Sequence, residues 1–586
     1  MKWDLSRLYN GFSDPAFEAD MLFVKRFTDE IHEKFLHPLP TVKEQLKDLI
    51  NSFNEMQKKT RRLSAMISLT LAADAENEEA LKIQDRTQKL MIGSGKLYSA
   101  FSRYVGEIDN LDEILASDET LTEHAFYIRE KAKAAGHTID PALEETVLNL
   151  RLTGSGAWGQ LRGTLESTLK VKYDENGEEK YLPLPAVRNL AHSPDPVVRK
   201  RAYEAELNAY PQIETAMAAC LSSMKGEALT LLPLKKYSSL LEQTLETSRM
   251  DEETLSAMLS AMRESLPAFR KYLRAKAKKL GHENGLPFYD LFAPLGKETK
   301  SYTLDEAKML LIDVLGRFSG KMADHIRDAF DNRLIDAYPR EGKRGGAFCS
   351  SVHPIETSYV LTNFDGSLSS VSTLAHELGH AYHNRCLRSL SMLNCSYPMP
   401  LAETASIFNE TLLMQKMLEN ANREEKISLL EQEISKACQV IVDILSRYIF
   451  ETEVIERRKT HSLTARELKE IMLDAQKASY GDGLDENYLH PYMWACKSHY
   501  YRADLHFYNF PYAFGLLFGK GIYARYLARG ESFVPEYDAL LRKTATGNIK
   551  EVAESADIDV HSIDFWRDSL SVIKEDIETL SSLLEE

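Results

Sequence analysis

Residues 373–383 read Thr373-Leu374-Ala375-His376-Glu377-Leu378-Gly379-His380-Ala381-Tyr382-His383. On a helix, His376 and His380 leave the same face one turn apart. Two neutral imidazoles so spaced can each place a nitrogen about 2.0–2.1 Å from one zinc ion. Glu377 is angled beside the pair, too offset to ligate easily but well placed to hydrogen-bond a metal-bound water, the general-base position of HExxH. Leu374, Ala375, Leu378, Gly379 and Ala381 make the other sides of this helix apolar. Such a helix is buried, and two histidines and a glutamate inside a protein need a partner. Gly379 weakens a helix interior by about 1 kcal/mol relative to alanine, so a close backbone approach is expected there.

A catalytic zinc site needs a third protein ligand and an open fourth position. A histidine six residues after His380 would fit the metzincin pattern, but position 386 is Cys. The other source is a carboxylate on the following helix, which Pro398-Met399-Pro400 can start. Glu403 follows His380 by 23 residues and sits among Leu401, Ala402, Ala405 and Ile407, an apolar place for a charge unless it faces a metal. Glu410, two turns further along the same face, is either an acceptor behind a ligand histidine that orients its ring or a solvated glutamate.

Outward from this helix, most of the chain reads as helix. Apolar residues recur at three-and-four spacing over 41–58, 78–103, 142–168, 196–230, 252–280, 304–331, 401–419, 423–458 and 463–477. Strand signals are few. Lys170–Tyr173 and Glu179–Leu182 flank Asp174-Glu175-Asn176-Gly177, a hairpin turn signal. Residues 345–364 mix glycine, β-branched and aromatic residues and read as one or two short strands before the turn at Asp365-Gly366. The glycine-flanked Gly346-Ala347-Phe348-Cys349 could pair edge-on with an extended peptide. The predicted class is mainly α, with a small β element next to the HExxH helix.

At about 150 residues per domain, the 586 residues leave room for three or four domains. The best linker, 183–196, holds four prolines. It predicts an N-terminal helical region over 1–190, with the hairpin near 170–182, and a catalytic zinc domain over 191–586. Lys and Arg total 72 against 88 Asp and Glu, a formal charge of −16. That balance argues against nucleic acid as a partner, because phosphate binding wants a basic face. No run approaches the roughly 18 apolar residues of a membrane span, and the opening has no secretory pattern. The expectation is a soluble, cytoplasmic protein without membrane or nucleic-acid partners. Six cysteines, with no CxxC pair, read as reduced thiols.

HELGHAYH followed by ETASIFNE resembles the oligoendopeptidase F branch of the thimet-oligopeptidase family of zinc metallopeptidases. Trp3-Asp4-Leu5-Ser6-Arg7-Leu8-Tyr9, Tyr289-Asp290-Leu291-Phe292-Ala293-Pro294-Leu295, Thr362-Asn363-Phe364-Asp365-Gly366 and Tyr512-Ala513-Phe514-Gly515 are similar too, so the likeness spans nearly the whole chain. The resemblance implies a helical ellipsoid divided by a deep substrate channel. It also implies one Zn2+ per chain held by His376, His380 and Glu403, with Glu377 as catalytic base. Oligopeptides would be the substrates, and the strand containing Gly346, Ala347 and Phe348 would line their channel. His383 is usual in the family's motif, and packing beside the ligands or supporting them from behind suits it, since a fourth ligand would close the site. A C-terminal histidine- and tyrosine-rich segment faces the scissile carbonyl in the family. Of His499 and His506 the latter is favoured, with Tyr508 and Tyr512 as oxyanion donors. The alternatives are a zinc exopeptidase (aminopeptidase or carboxypeptidase) and a non-catalytic helical scaffold with structural zinc. No GxMEN run occurs, and a four-ligand structural site has no use for Glu377.

Overall fold

Asp14, Thr41 and Asn77 each accept a first-turn backbone N–H and so start the helices Pro15–Leu36, Val42–Ala73 and Glu78–Gly106. Leu46, Leu49, Ile50, Phe53 and Met56 then fall on one face of the second helix, buried with Ile31 of the first and Leu97, Phe101 and Val105 of the third. The computed structural model describes residues 1–175, 177–296 and 300–585. The protein is mainly helical, with two small sheets among the described residues. It divides into one unit of Met1–Thr138, Lys300–Lys416 and Arg525–Ile558, and a second of Ile139–Thr299, Met417–Ala524 and Asp559–Glu586.

The second unit contains the hairpin, β1 (Lys170–Glu175) and β2 (Glu178–Pro183), paired antiparallel from Lys170↔Pro183 to Glu175↔Glu178. Gly177 takes the left-handed backbone that the turn requires (φ +90°), while Asn176 lies outside the described residues. Some runs that read as single helices are broken. The 142–168 run divides at Gly154, because Glu227 reaches in from a distant helix and accepts Ser155 N–H and Oγ, both at 2.6 Å. The 196–230 run divides at Tyr210-Pro211-Gln212, where proline removes a helical donor.

The first unit holds β3 (Ile335–Asp336), β4 (Phe348–Val352) and β5 (Thr357–Leu361) in the order β3-β5-β4. β3 runs parallel to β5 and β4 antiparallel to it, with Cys349 opposite Val360. The pleat sorts the side chains. Phe348, Val352, Tyr359 and Leu361 join Trp3, Leu8, Phe17, Met21 and Leu63 in one core. The opposite face meets the Leu368–Cys386 helix, whose Asn384 Nδ2 donates to Ser358 Oγ at 3.2 Å. Gly346 is exposed just before β4, not within it, at φ +77°.

Candidate active site

β5 leads into the site helix through a turn at Gly366 (φ +87°), where a Cβ would meet Ser301 Oγ and Tyr302 O, each at 3.0 Å. Ser367 caps the helix, its Oγ accepting Ser370 N–H at 3.1 Å. His376 and His380 then project from one face, with their Nε2 atoms 3.2 Å apart. Glu403 lies between the short Met399–Ala402 helix and the Thr404–Asn420 helix. Its Oε2 stands 3.2 Å from His376 Nε2 and 3.6 Å from His380 Nε2. Two donors bound tetrahedrally to one ion at 2.0–2.1 Å stand about 3.3 Å apart. The three atoms therefore fit a single zinc-sized ion, and they form the one metal-holding cluster found among the described residues.

Gly379 makes this approach possible. A Cβ there would lie 2.6 Å from Ala405 O and 2.7 Å from Ser406 Cα, so the site helix touches the backbone that carries Glu403. Ser406 Oγ donates to Glu403 Oε2 at 2.9 Å. Glu410 is not a solvated glutamate: its Oε1 stands 3.4 Å from Nδ1 of His376, the nitrogen that faces away from Glu403. His383 is fully buried, stacked on Tyr397 at 4.1 Å, and 2.8 Å from Thr544 Oγ1 through Nε2. It packs beside the cluster and is not part of it.

Charge follows from these neighbours. Burial works against the imidazolium of His376, but the Glu403 and Glu410 carboxylates overcome it and hold the ring up at about 10. Burial brings His380 down to about 4. Burial also opposes ionisation of Glu403, yet the two histidines pull it down to about 2. Glu377 is buried (6% exposed), and burial pushes its carboxyl up to about 7. Its Oε2 takes no protein hydrogen bond. A cavity of about 470 Å³ opens onto this group, walled by His376, Glu377, His380 and Glu403 with Ala347, Phe348 and Cys349, and by Arg61, Asn384 and Tyr397. Gly346 is not on its wall.

The profile of peptidase family M3 matches residues 189–572, well over half of the chain. The chain belongs to that family. Membership makes it a peptidase and implies peptide substrates and a metal cofactor. Among relatives, oligopeptidase PepF of Bacillus subtilis is 23% identical over 593 residues, covering 99% of this chain and 87% of the relative. An oligoendopeptidase F homolog of Lactococcus lactis subsp. lactis is 22% identical, covering 100% of this chain and 97% of the relative. The fold matches a solved Chlamydophila abortus protein with a TM-score of 0.84 at 23% identity, over 99% of this chain and 98% of that one. It also matches oligoendopeptidase-F from Enterococcus faecium with a TM-score of 0.72 at 19% identity, over 97% and 99%.

In this M3 peptidase the C-terminal candidates lie within the second unit in two groups, His506 with Lys225 and Glu451, and Tyr508 with Tyr512. Lys225, fully buried, donates from Nζ to Glu451 Oε1 at 2.6 Å and to His506 Nδ1 at 3.1 Å. Ammonium has only donors, so Nδ1 is the acceptor and Nε2 carries the ring hydrogen. That Nε2 meets no protein acceptor. Burial and then the Lys225 charge bring His506 down to about 2. Glu451 Oε2 accepts Phe507 N–H at 3.0 Å, holding Phe507 in the left-handed region (φ 50°). The Tyr508 and Tyr512 hydroxyls are 3.0 Å apart. Arg61, Tyr397 and Lys225 carry no sequence motif, and Arg61 and Lys225 also reach partners more than 200 positions away.

Proposed function

We propose that this M3 peptidase is a cytoplasmic zinc endopeptidase that hydrolyses internal bonds of short unfolded oligopeptides. The observation that carries this is the triangle of His376, His380 and Glu403 donor atoms at 3.2–3.6 Å, with Glu377 beside it. In this reading those three residues hold one zinc ion. When bound, such an ion supplies Lewis acidity, acidifying water and polarising a carbonyl. Glu410 fixes the ring of His376 through Nδ1. Glu377 accepts the proton of the attacking water and returns it to the leaving nitrogen. Its buried carboxyl is poised near neutrality, and a cation beside it favours the carboxylate form that a base needs. The outward groups of β4 pair with the extended substrate and set its register. His506, Tyr508 and Tyr512 stay the oxyanion candidates that the family resemblance implies. No helix among the described residues is long and apolar enough to cross a membrane, which agrees with the compartment proposed.

The test is a short quenched-fluorescent peptide blocked at both ends, with and without a zinc chelator. Chelator-sensitive internal cleavage is the expected result. Cleavage that requires a free amino or carboxyl end would replace this reading with an exopeptidase. Bound zinc without cleavage of blocked or free peptides would replace it with a scaffold.

A further inference from the structure

The helix Val42–Ala73 carries the basic run Lys58-Lys59-Thr60-Arg61-Arg62. Three of its four cations meet carboxylates: Lys58 pairs with Glu55 at 2.6 Å, Lys59 with Asp20 at 2.9 Å and Arg62 with Asp20 at 3.3 Å. Arg61 pairs with none among the described residues. Its Nε and Nη2 both donate to the backbone carbonyl of Ser351 in β4, at 2.9 and 2.5 Å, which leaves Nη1 without a protein acceptor. It is also the one Lys or Arg on the wall of the cavity that holds His376, Glu377, His380 and Glu403. A half-buried guanidinium without a counter-ion, fixed at two nitrogens and facing a reaction cavity, is built to receive an anion.

Its place along β4 says where. Val360 N–H donates to Leu334 O at 2.9 Å, beside β3, so Val360 exchanges no hydrogen bonds with Cys349 opposite it. By the two-residue alternation of an antiparallel pair, the N–H and C=O of Cys349 and of Ser351 point away from β5, along the free edge of the sheet. Cys349 is open to an added strand. Ser351 O is already taken by Arg61, so a peptide laid along β4 can pair at Cys349 and then runs into the guanidinium.

We propose that Arg61 is a specificity residue that binds a substrate carboxylate at the end of the β4 groove. The carboxylate is either an Asp or Glu side chain or the C-terminus of the peptide. The inference rests on the reading of this cavity as the peptide-cleaving site. It predicts a preference set by charge at one end of the substrate, which neither the metal cluster nor Glu377 would create.

Two peptide sets separate the sources: blocked peptides with Glu moved through successive positions in place of Gln, and one neutral peptide with a free or an amidated C-terminus. kcat/KM is measured in the zinc-loaded full chain, and binding by fluorescence anisotropy in the chelator-treated full chain. The expected result is at least a tenfold preference for Glu at one position, or for the free C-terminus. Arg61→Met removes it through KM and costs the neutral blocked peptide at least tenfold less than the acidic one, Arg61→Lys retains part of it, and Arg61→Glu turns it towards Lys. No preference in either set, or an equal loss on all peptides in Arg61→Met, overturns the proposal. Binding preference dependent on Arg61 without any cleavage would sink the proposed reaction and leave this inference standing. Cleavage or binding indifferent to charge would do the reverse.

Discussion

Gly379→Ala tests whether one close approach between backbones assembles the metal cluster. The added methyl would sit 2.6 Å from Ala405 O and 2.7 Å from Ser406 Cα. An ordinary contact needs about 3.4 Å, so the segment beginning at Thr404 must retreat by about 0.8 Å. Neither neighbour is the flexible end of a side chain, so the strain falls on the backbone that positions Glu403. Metal–donor distances tolerate only about 0.2 Å. A 0.8 Å shift therefore takes Oε2 of Glu403 out of bonding range of an ion held by His376 and His380. Overpacking costs about 1–3 kcal/mol, and the better helix propensity of alanine returns about 1 kcal/mol. The variant should fold with a modestly lower Tm and lose at least the 10–100-fold in zinc affinity typical of disturbed ligand support. Competition with a chromophoric chelator measures the affinity and a thermal melt reports the fold. Undiminished zinc affinity in a folded Gly379→Ala would show that this approach does not position Glu403.

Three further outcomes are expected. Glu377→Gln should lower kcat by about 10²–10⁴-fold with zinc content unchanged, checked by metal analysis beside initial rates. His376 is held up at about 10 in the metal-free chain, so at pH 8 it is an imidazolium that must give up its proton to ligate. Zinc uptake at pH 8 should therefore release at least one proton per ion, and affinity should weaken as pH falls. Calorimetry in two buffers of different ionisation enthalpy measures this, and no proton release would contradict the charge assigned to His376. Lys225→Met leaves the buried Glu451 carboxylate without its cation and should destabilise the fold by about 3–5 kcal/mol. Adding Glu451→Gln should recover much of the loss in a thermal melt.

What could be read in advance follows the range of the interactions. The histidine pair and Glu377 lie within one turn of helix, so spacing alone placed them on one face. Glu403 was legible because a charge among Leu401, Ala402, Ala405 and Ile407 needs a reason, and the close approach expected at Gly379 supplies the contact that brings it in. The two strands within 345–364 and the hairpin near 170–182 also follow from local composition. The role of Glu410 stayed open because nothing local says whether a face two turns along meets a histidine or water. Other features were hidden because they join distant residues. Glu227 breaks a helix at Gly154, Arg61 reaches Ser351, and Lys225 sets the tautomer of His506, each across 72 or more positions. Pro211, by contrast, was a visible stop inside the run 196–230 that helical periodicity overrode.

Zinc K-edge X-ray absorption on the purified full chain reads whether His376, His380 and Glu403 hold the metal of this M3 peptidase. One zinc per chain is expected, with nitrogen and oxygen donors at about 2.0–2.1 Å, a two-imidazole signature and no sulfur shell. Glu403→Ala should lose one light-atom donor. A thiolate shell near 2.3 Å, or a zinc environment unchanged by Glu403→Ala, would rule out this ligand set.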